Sequence, residues 1–319
     1  MLRSFLIYLS KAVWAQRMVT NWGYAWKTAS RFVAGTQVGE AVQAIRELNA
    51  RGINVTVDHL GEHTSRPEEA SDATQAILKT LEELDKAEVR ANISIKLTQI
   101  GLGLDDSLCA ENLERILACA KQYGNFVRID MEDTPYTDRT LELYYRMRRN
   151  GYRNLGLVLQ SYLYRTEADA RRLLADRVPI RLVKGAYREP ADKAFPKKAD
   201  VDANFDLLSK IMIDASLALK DPGLSRDGCT PPLSALGTHD QNRIAFAKQY
   251  LEKVGLARDA IEFQMLYGIR RDLQEQLAGE GFPVRVYVPF GTHWYPYFMR
   301  RLAERPANIW FFISNFFKG

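Results

Sequence analysis

Cysteine is scarce: three occur in 319 residues, Cys109, Cys119 and Cys229, and none has CxxC spacing. That excludes a disulfide framework and a cysteine-based zinc module, and it points to a reducing, cytoplasmic setting. No internal repeat or Gly/Ser-rich linker interrupts the chain, so nothing marks a second globular domain. No apolar run approaches the roughly 20 residues of a transmembrane helix. The Walker loop and the GxSxG elbow are missing. Gly101-Leu102-Gly103 is followed by Leu104 and Asp105, which leaves the dinucleotide fingerprint incomplete. Acidic residues are absent before Glu40, whereas five basic ones (Arg3, Lys11, Arg17, Lys27, Arg31) precede it. The other 39 of the 44 Lys and Arg are matched by 39 Asp and Glu. A nucleic-acid-binding protein carries its basic surplus over the binding domain, so this distribution argues against nucleic acid.

Residues 1–38 are expected to form an N-terminal helical arm, with residues 39–319 forming the body. Leu2, Phe5, Leu6, Leu9 and Val13 recur at helical spacing, and Trp14, Trp22 and Trp26 follow. Lys11 interrupts the apolar run that a secretory signal would need. The arm either packs on the body or rests as a basic amphipathic helix on an anionic membrane. The apolar C-terminal stretch, residues 309–317, poses the same choice.

From about Gly39, β-rich runs alternate with helix-period segments. The runs are 53–58, 92–97, 126–130, 157–160, 180–184, 233–238, 261–266 and 284–288. Eight β/α units over about 280 residues predict a (β/α)8 barrel rather than a doubly wound sheet. Barrel chemistry sits at the C-terminal strand ends. The polar groups there are Asp58, Lys96, Asp130, Gln160, Lys184, Thr238, Gln264 and Tyr287.

Three constellations stand out. His59 and His63 lie four apart after the first strand and His239 follows the sixth, as a metal-dependent barrel hydrolase would require. Gly61 between the first two argues against the helix that would put them on one face. Val183-Lys184-Gly185-Ala186-Tyr187 ends the fifth strand with a cation and small residues, where backbone can approach an anion. Tyr297, Arg300 and Arg301 share one turn of a short helix opened by Pro296. Adjacent arginines need an anion to neutralise them: either Glu304, four residues after Arg300, or a bound carboxylate.

In order along the chain come Ile93-Ser94-Ile95-Lys96-Leu97, Arg128-Ile129-Asp130-Met131-Glu132-Asp133, Leu159-Gln160-Ser161-Tyr162-Leu163, Arg181-Leu182-Val183-Lys184-Gly185-Ala186-Tyr187, Gly237-Thr238-His239, Glu262-Phe263-Gln264-Met265-Leu266-Tyr267-Gly268, Tyr287-Val288-Pro289 and the Arg300-Arg301 helix. Together these segments, spanning about Asp58 to Glu304, resemble proline dehydrogenase, in its stand-alone bacterial form more than in the fused bifunctional one.

The resemblance implies a distorted (β/α)8 TIM barrel that holds FAD, oxidises L-proline to Δ1-pyrroline-5-carboxylate and passes electrons to a membrane quinone. Such a protein would sit on the inner face of the membrane as a peripheral partner. By the same resemblance, Lys96, Arg300 and Arg301 look like a carboxylate clamp, with Asp130 and Tyr287 orienting it and Leu266 forming an apolar wall. Arg181 looks like the cation beside the flavin's reactive nitrogen. Met131, Gln160, Lys184, Gly185, Ala186, Thr238, His239 and Gln264 look like flavin contacts. Glu62 looks like the acid that pairs with Arg300 when the site closes. Arg188 departs from the bifunctional enzymes, which carry tryptophan there. No pattern assigns a metal or an oligomeric state. The rival readings are the histidine-based hydrolase and a membrane-docking scaffold built on the arm.

Overall fold

The apolar runs become strands because both of their faces are covered, the inner by the opposite wall of a barrel and the outer by helices. The computed structural model describes residues 23–219 and 224–304. Eight parallel strands close in chain order, so that β1 (Asn54–His59) pairs with both β2 (Ala91–Ile95) and β8 (Val284–Phe290). Between them stand β3 (Val127–Ile129), β4 (Leu155–Gln160), β5 (Ile180–Val183), β6 (Ser234–Gly237) and β7 (Ile261–Leu266). Two helices precede the barrel, α1 (Gly23–Ala29) and α2 (Val38–Asn49). After β1 to β7 come α3 (Pro67–Lys86), α4 (Asp106–Gln122), α5 (Thr134–Arg149), α6 (Thr166–Ala175), α7 (Lys198–Leu217), α8 (Gln241–Val254) and α9 (Arg271–Gly279). The chain of described residues ends in α10 (Trp294–Glu304).

The predicted (β/α)8 barrel is therefore the observed fold. Its strand limits move by at most two residues, and β7 keeps the expected bounds. β2 and β3 stop short, at Ile95 and Ile129, because the chain turns at the barrel mouth; Leu102 N–H already closes back on Leu97 O at 2.9 Å. Lys96 and Asp130 thus project beyond the paired ladder. α10 starts two residues before Pro296, and proline in a first turn forfeits no intrahelical hydrogen bond.

Local signals set several helix starts. Glu40, the first acid of the chain, accepts from the N–H groups of Thr36 (2.7 Å) and Gln37 (2.9 Å) and opens α2. Asp105 accepts from Leu108 N–H at α4, and Asp240 accepts from Asn242 N–H at α8, which ends on left-handed Gly255.

The main core fills the space between strands and helices. A second cluster joins Ala29, Phe32 and Val33 to Trp294, Tyr295, Phe298, Met299 and Leu302, with Trp26, Leu266 and Tyr287 against it. Trp26 meets Trp294 edge-on at 5.4 Å, and Phe32 lies 6.4 Å from Phe298. Residues 26–33 of the expected arm therefore pack on α10 and behind the barrel mouth. The Leu2–Val13 stripe, Trp14, Trp22 and residues 309–317 lie outside the described residues.

Candidate active site

Side chains two apart on a strand share a face, and in this barrel the inward face is polar. Asp58, Lys96, Asp130, Arg181, Gln264 and Tyr287 come from six strands or strand ends and converge at the C-terminal mouth. Asp130 Oδ1 accepts from Ser94 Oγ at 2.6 Å and from Arg181 Nη2. Its Oδ2 accepts from the Tyr287 hydroxyl at 3.0 Å. That hydroxyl in turn accepts from Lys96 Nζ at 3.3 Å. Lys96 Nζ also donates to Asp58 Oδ2 at 3.0 Å and stands 3.7 Å from Asp130. The Arg181 guanidinium lies over the Tyr287 ring at 5.4 Å.

The electrostatics follow from this alternation of signs. Burial alone would lower Lys96, but Asp58 and then Asp130 outweigh it, so the ammonium is held above its ordinary value and stays charged. Burial would raise Asp130, yet Arg181 and Lys96 together hold it below the usual carboxylate range. Burial, with Asp130 and Asp58 adding to it, pushes the Tyr287 phenol well up, so it remains a proton donor.

α10 hangs over this group. Arg300 donates both arms of its fork to Glu62, at 2.9 and 2.6 Å, so the pair expected on closure is formed here. Burial raises Glu62 but Arg300 and Lys96 more than reverse it, and Arg300 is raised by Glu62 against its own burial. Arg301 lies over the Tyr297 ring at 5.2 Å, realising the i, i+4 spacing. The local alternative partner, the Glu304 side chain, lies outside the described residues.

A cavity of about 610 Å³ opens between the mouth and α10. Glu62, Lys96, Asp130, Met131, Gln160, Arg181, Lys184, Gly185, Ala186, Thr238, His239, Gln264, Leu266, Tyr287, Arg300 and Arg301 all line it. Gln160 Nε2 donates to Glu132 O at 2.8 Å, and Leu266 N–H donates to His239 Nε2 at 2.9 Å, which makes that nitrogen the unprotonated one. Gly185 has φ +113°, and a Cβ there would come within 2.4 Å of the Tyr162 ring. Lys184 differs from the simple expectation of a cation awaiting an anion. Its Nζ binds Asp202 and, at 2.7 Å, Asp240, because the starts of α7 and α8 bring those acids to the end of β5.

The histidines do not converge. His59 packs edge-on to Phe290 at 5.2 Å, His63 lies 6.1 Å from Tyr136, and His239 is across the barrel. Among the described residues no group of three or more His, Cys, Asp or Glu is placed to hold a metal ion.

Comparison with known proteins bears on this site directly. The family model described as proline dehydrogenase matches residues 41–312. The chain belongs to the proline dehydrogenase family. It is 39% identical over 310 residues to proline dehydrogenase 2 of Bacillus subtilis (strain 168), covering 97% of this chain and 96% of that one. It is 42% identical over 298 residues to proline dehydrogenase of Deinococcus radiodurans, covering 92% and 91%. Among solved structures, proline utilization A from Bdellovibrio bacteriovorus inactivated by N-propargylglycine superposes with a TM-score of 0.77 at 25% identity. That match covers 87% of this chain and 32% of the larger protein, so this chain spans about a third of it. The likeness to stand-alone bacterial members over nearly full length agrees with the expectation from the motifs. The enzyme is thus a proline dehydrogenase, and its family is flavin-dependent.

The residues present fit a flavin by the chemistry of their groups. Gln160, Gln264 and Arg181 offer donors and acceptors to a heteroaromatic edge, while Val158, Val183, Met265 and Leu266 offer apolar surface to its rings. Several residues that hold these side chains carry no assigned partner in the sequence. Asp58, fully buried, holds Lys96; its place at a strand end was the available signal. Ser94, two residues before Lys96, shares its face. Glu132 accepts from Thr98 N–H (3.0 Å) and pairs with its hydroxyl, while Thr98 Oγ1 accepts from His63 N–H (3.2 Å) in the loop that carries Glu62. Burial pushes Glu132 up to about 7 against those bonds.

Proposed function

We propose that this proline dehydrogenase oxidises L-proline to Δ1-pyrroline-5-carboxylate with FAD in the barrel-mouth cavity. The observation that carries the reading is the meeting of Lys96, Arg300 and Arg301 with Asp130, Arg181 and Tyr287 around one cavity. Flavin, when bound, supplies the hydride acceptor. Lys96 has three N–H bonds, and Asp58 and Tyr287 engage two among the described residues. The third, with the forks of Arg300 and Arg301, is the clamp for the substrate carboxylate. Arg300 exchanges its Glu62 partner for substrate, or shares the two as the site closes. Tyr287 and Leu266 set the apolar boundary of the ring, and Asp130 holds Tyr287 and Arg181 in place. Arg181 favours negative charge that develops during transfer. Met131, Gln160, Lys184, Gly185, Ala186, Thr238, His239 and Gln264 would contact the cofactor.

Electrons then pass to a membrane quinone, with the chain docked peripherally on the inner face of the membrane through the basic segment before Gly23. No described helix is long and apolar enough to cross a bilayer.

The deciding experiment is the visible spectrum of the purified protein. A flavin doublet that bleaches anaerobically on adding L-proline supports the reading; a flavin that proline leaves oxidised overturns it. Removing residues 1–22 should reduce binding to anionic vesicles and turnover with an embedded quinone while sparing turnover with a soluble acceptor. Unchanged vesicle binding would overturn the docking role.

A further inference from the structure

Below the cavity, the barrel interior holds a further buried ion pair that the proposed chemistry does not touch. Glu262 on β7 and Arg285 on β8 are 0% and 1% exposed, and Arg285 Nε donates to Glu262 Oε1 at 2.9 Å. The rest of the Arg285 fork donates to Val55 O at 2.8 Å and Gly228 O at 2.7 Å, which anchors the pair to β1 and to the loop beneath the barrel. Barrel interiors are ordinarily filled by branched apolar side chains, and a buried ion pair is weak support for stability. Its presence here calls for a different reason.

Glu262 Oε1 also accepts from Gln264 Nε2 at 2.5 Å, one layer nearer the mouth. On its other side, Gln264 Oε1 accepts from Arg181 Nη1 at 3.3 Å. A carboxylate only accepts and a guanidinium only donates, so these two neighbours leave the Gln264 amide a single orientation. We infer that Glu262 is a positioning residue for Arg181, locking the Gln264 carbonyl toward the guanidinium. Arg181 is then held at both arms of its fork, Nη1 by Gln264 and Nη2 by Asp130 and Ser94. With one arm released, the guanidinium plane can turn about the other. The carboxylate behind the amide also polarises it and strengthens the bond in front. This inference rests on the role proposed for Arg181.

The test compares Glu262→Met and the double variant Glu262→Met/Arg285→Met with Arg181→Met as flavin-loaded proteins. It reads the rate of flavin reduction at saturating proline, the half-saturating proline concentration and the flavin midpoint potential. Glu262→Met removes both acceptor oxygens at similar volume, and Arg285 keeps two carbonyl partners. The double variant removes the ion pair whole and strands no charge, so it decides the matter if the first variant does not fold. Both are expected to slow reduction about ten-fold, with half-saturation within about two-fold of wild type. Both should lower the midpoint potential in the same direction as Arg181→Met. Wild-type rate and potential in the folded variants, with Arg181→Met slow, would overturn the lock alone. A wild-type rate in Arg181→Met would overturn the role of Arg181, and the lock with it.

Discussion

Replacing Lys96 by methionine should separate two functions that one side chain carries. Lys96 is 7% exposed and Asp58 is 0% exposed, and their N–O distance is 3.0 Å. Truncating one partner of such a pair strands the other as an uncompensated buried charge, at about 3–5 kcal/mol. Over 319 residues the unfolding entropy is roughly 0.7 kcal/mol per degree, so melting should fall by about 4–8 °C. Adding Asp58→Asn removes the stranded charge, and the double variant should regain about half of that loss or more. Neither protein should recover proline binding, because the clamp has lost a charge-assisted contact of about 1.5–3 kcal/mol, ten-fold or more in half-saturation. Arg300→Met provides the contrast. The side chains of Arg300 and Glu62 are 26% and 18% exposed, so Glu62 is rehydrated and the expected stability loss is about 1 kcal/mol or less, with a similar loss of proline binding. Thermal melting at fixed pH, with anaerobic reduction titrations, measures both effects. A Lys96→Met protein that melts with wild type, or a double variant no more stable than the single, would refute the reasoning.

Glu132 takes up a proton more readily folded than unfolded, since its pKa is raised from 4.5 to about 7 by burial. Folding stability should therefore fall as pH rises from about 4.5 to 7, by up to about 3 kcal/mol, and Glu132→Gln should flatten that slope; parallel denaturation profiles would count against it. Phe32→Ala should lower stability by about 3–5 kcal/mol and raise the half-saturating proline concentration, because Phe32 supports the helix bearing Arg300 and Arg301; normal proline titration in a destabilised variant would separate the two. Arg301→Met should weaken proline binding about ten-fold at normal flavin content, and an unchanged Michaelis constant would remove it from the clamp.

The alternation of apolar runs and helical periods was enough to predict eight β/α units, because each strand is buried on both faces and so advertises itself locally. A barrel makes its strand-end polar residues candidates, and Lys96, Asp130, Gln160, Lys184, Thr238, Gln264 and Tyr287 all line one cavity. Which charges neutralise one another was not legible. Asp58 meets Lys96 only because β1 and β2 are neighbours, and it comes near Tyr287 only because β8 closes back on β1. Lys184 reads along the chain as a cation awaiting an anion, but two helix starts deliver Asp202 and Asp240 to it. Likewise, a basic, tryptophan-rich arm has the same composition whether it lies on lipid or protein, and the packing of Trp26 and Phe32 on α10 is set by surfaces more than 260 residues away. Sequence determines locally which residues must be buried and which can carry charge. The partners of those charges depend on closure of the barrel, because Coulomb interactions act through space between groups the chain keeps far apart.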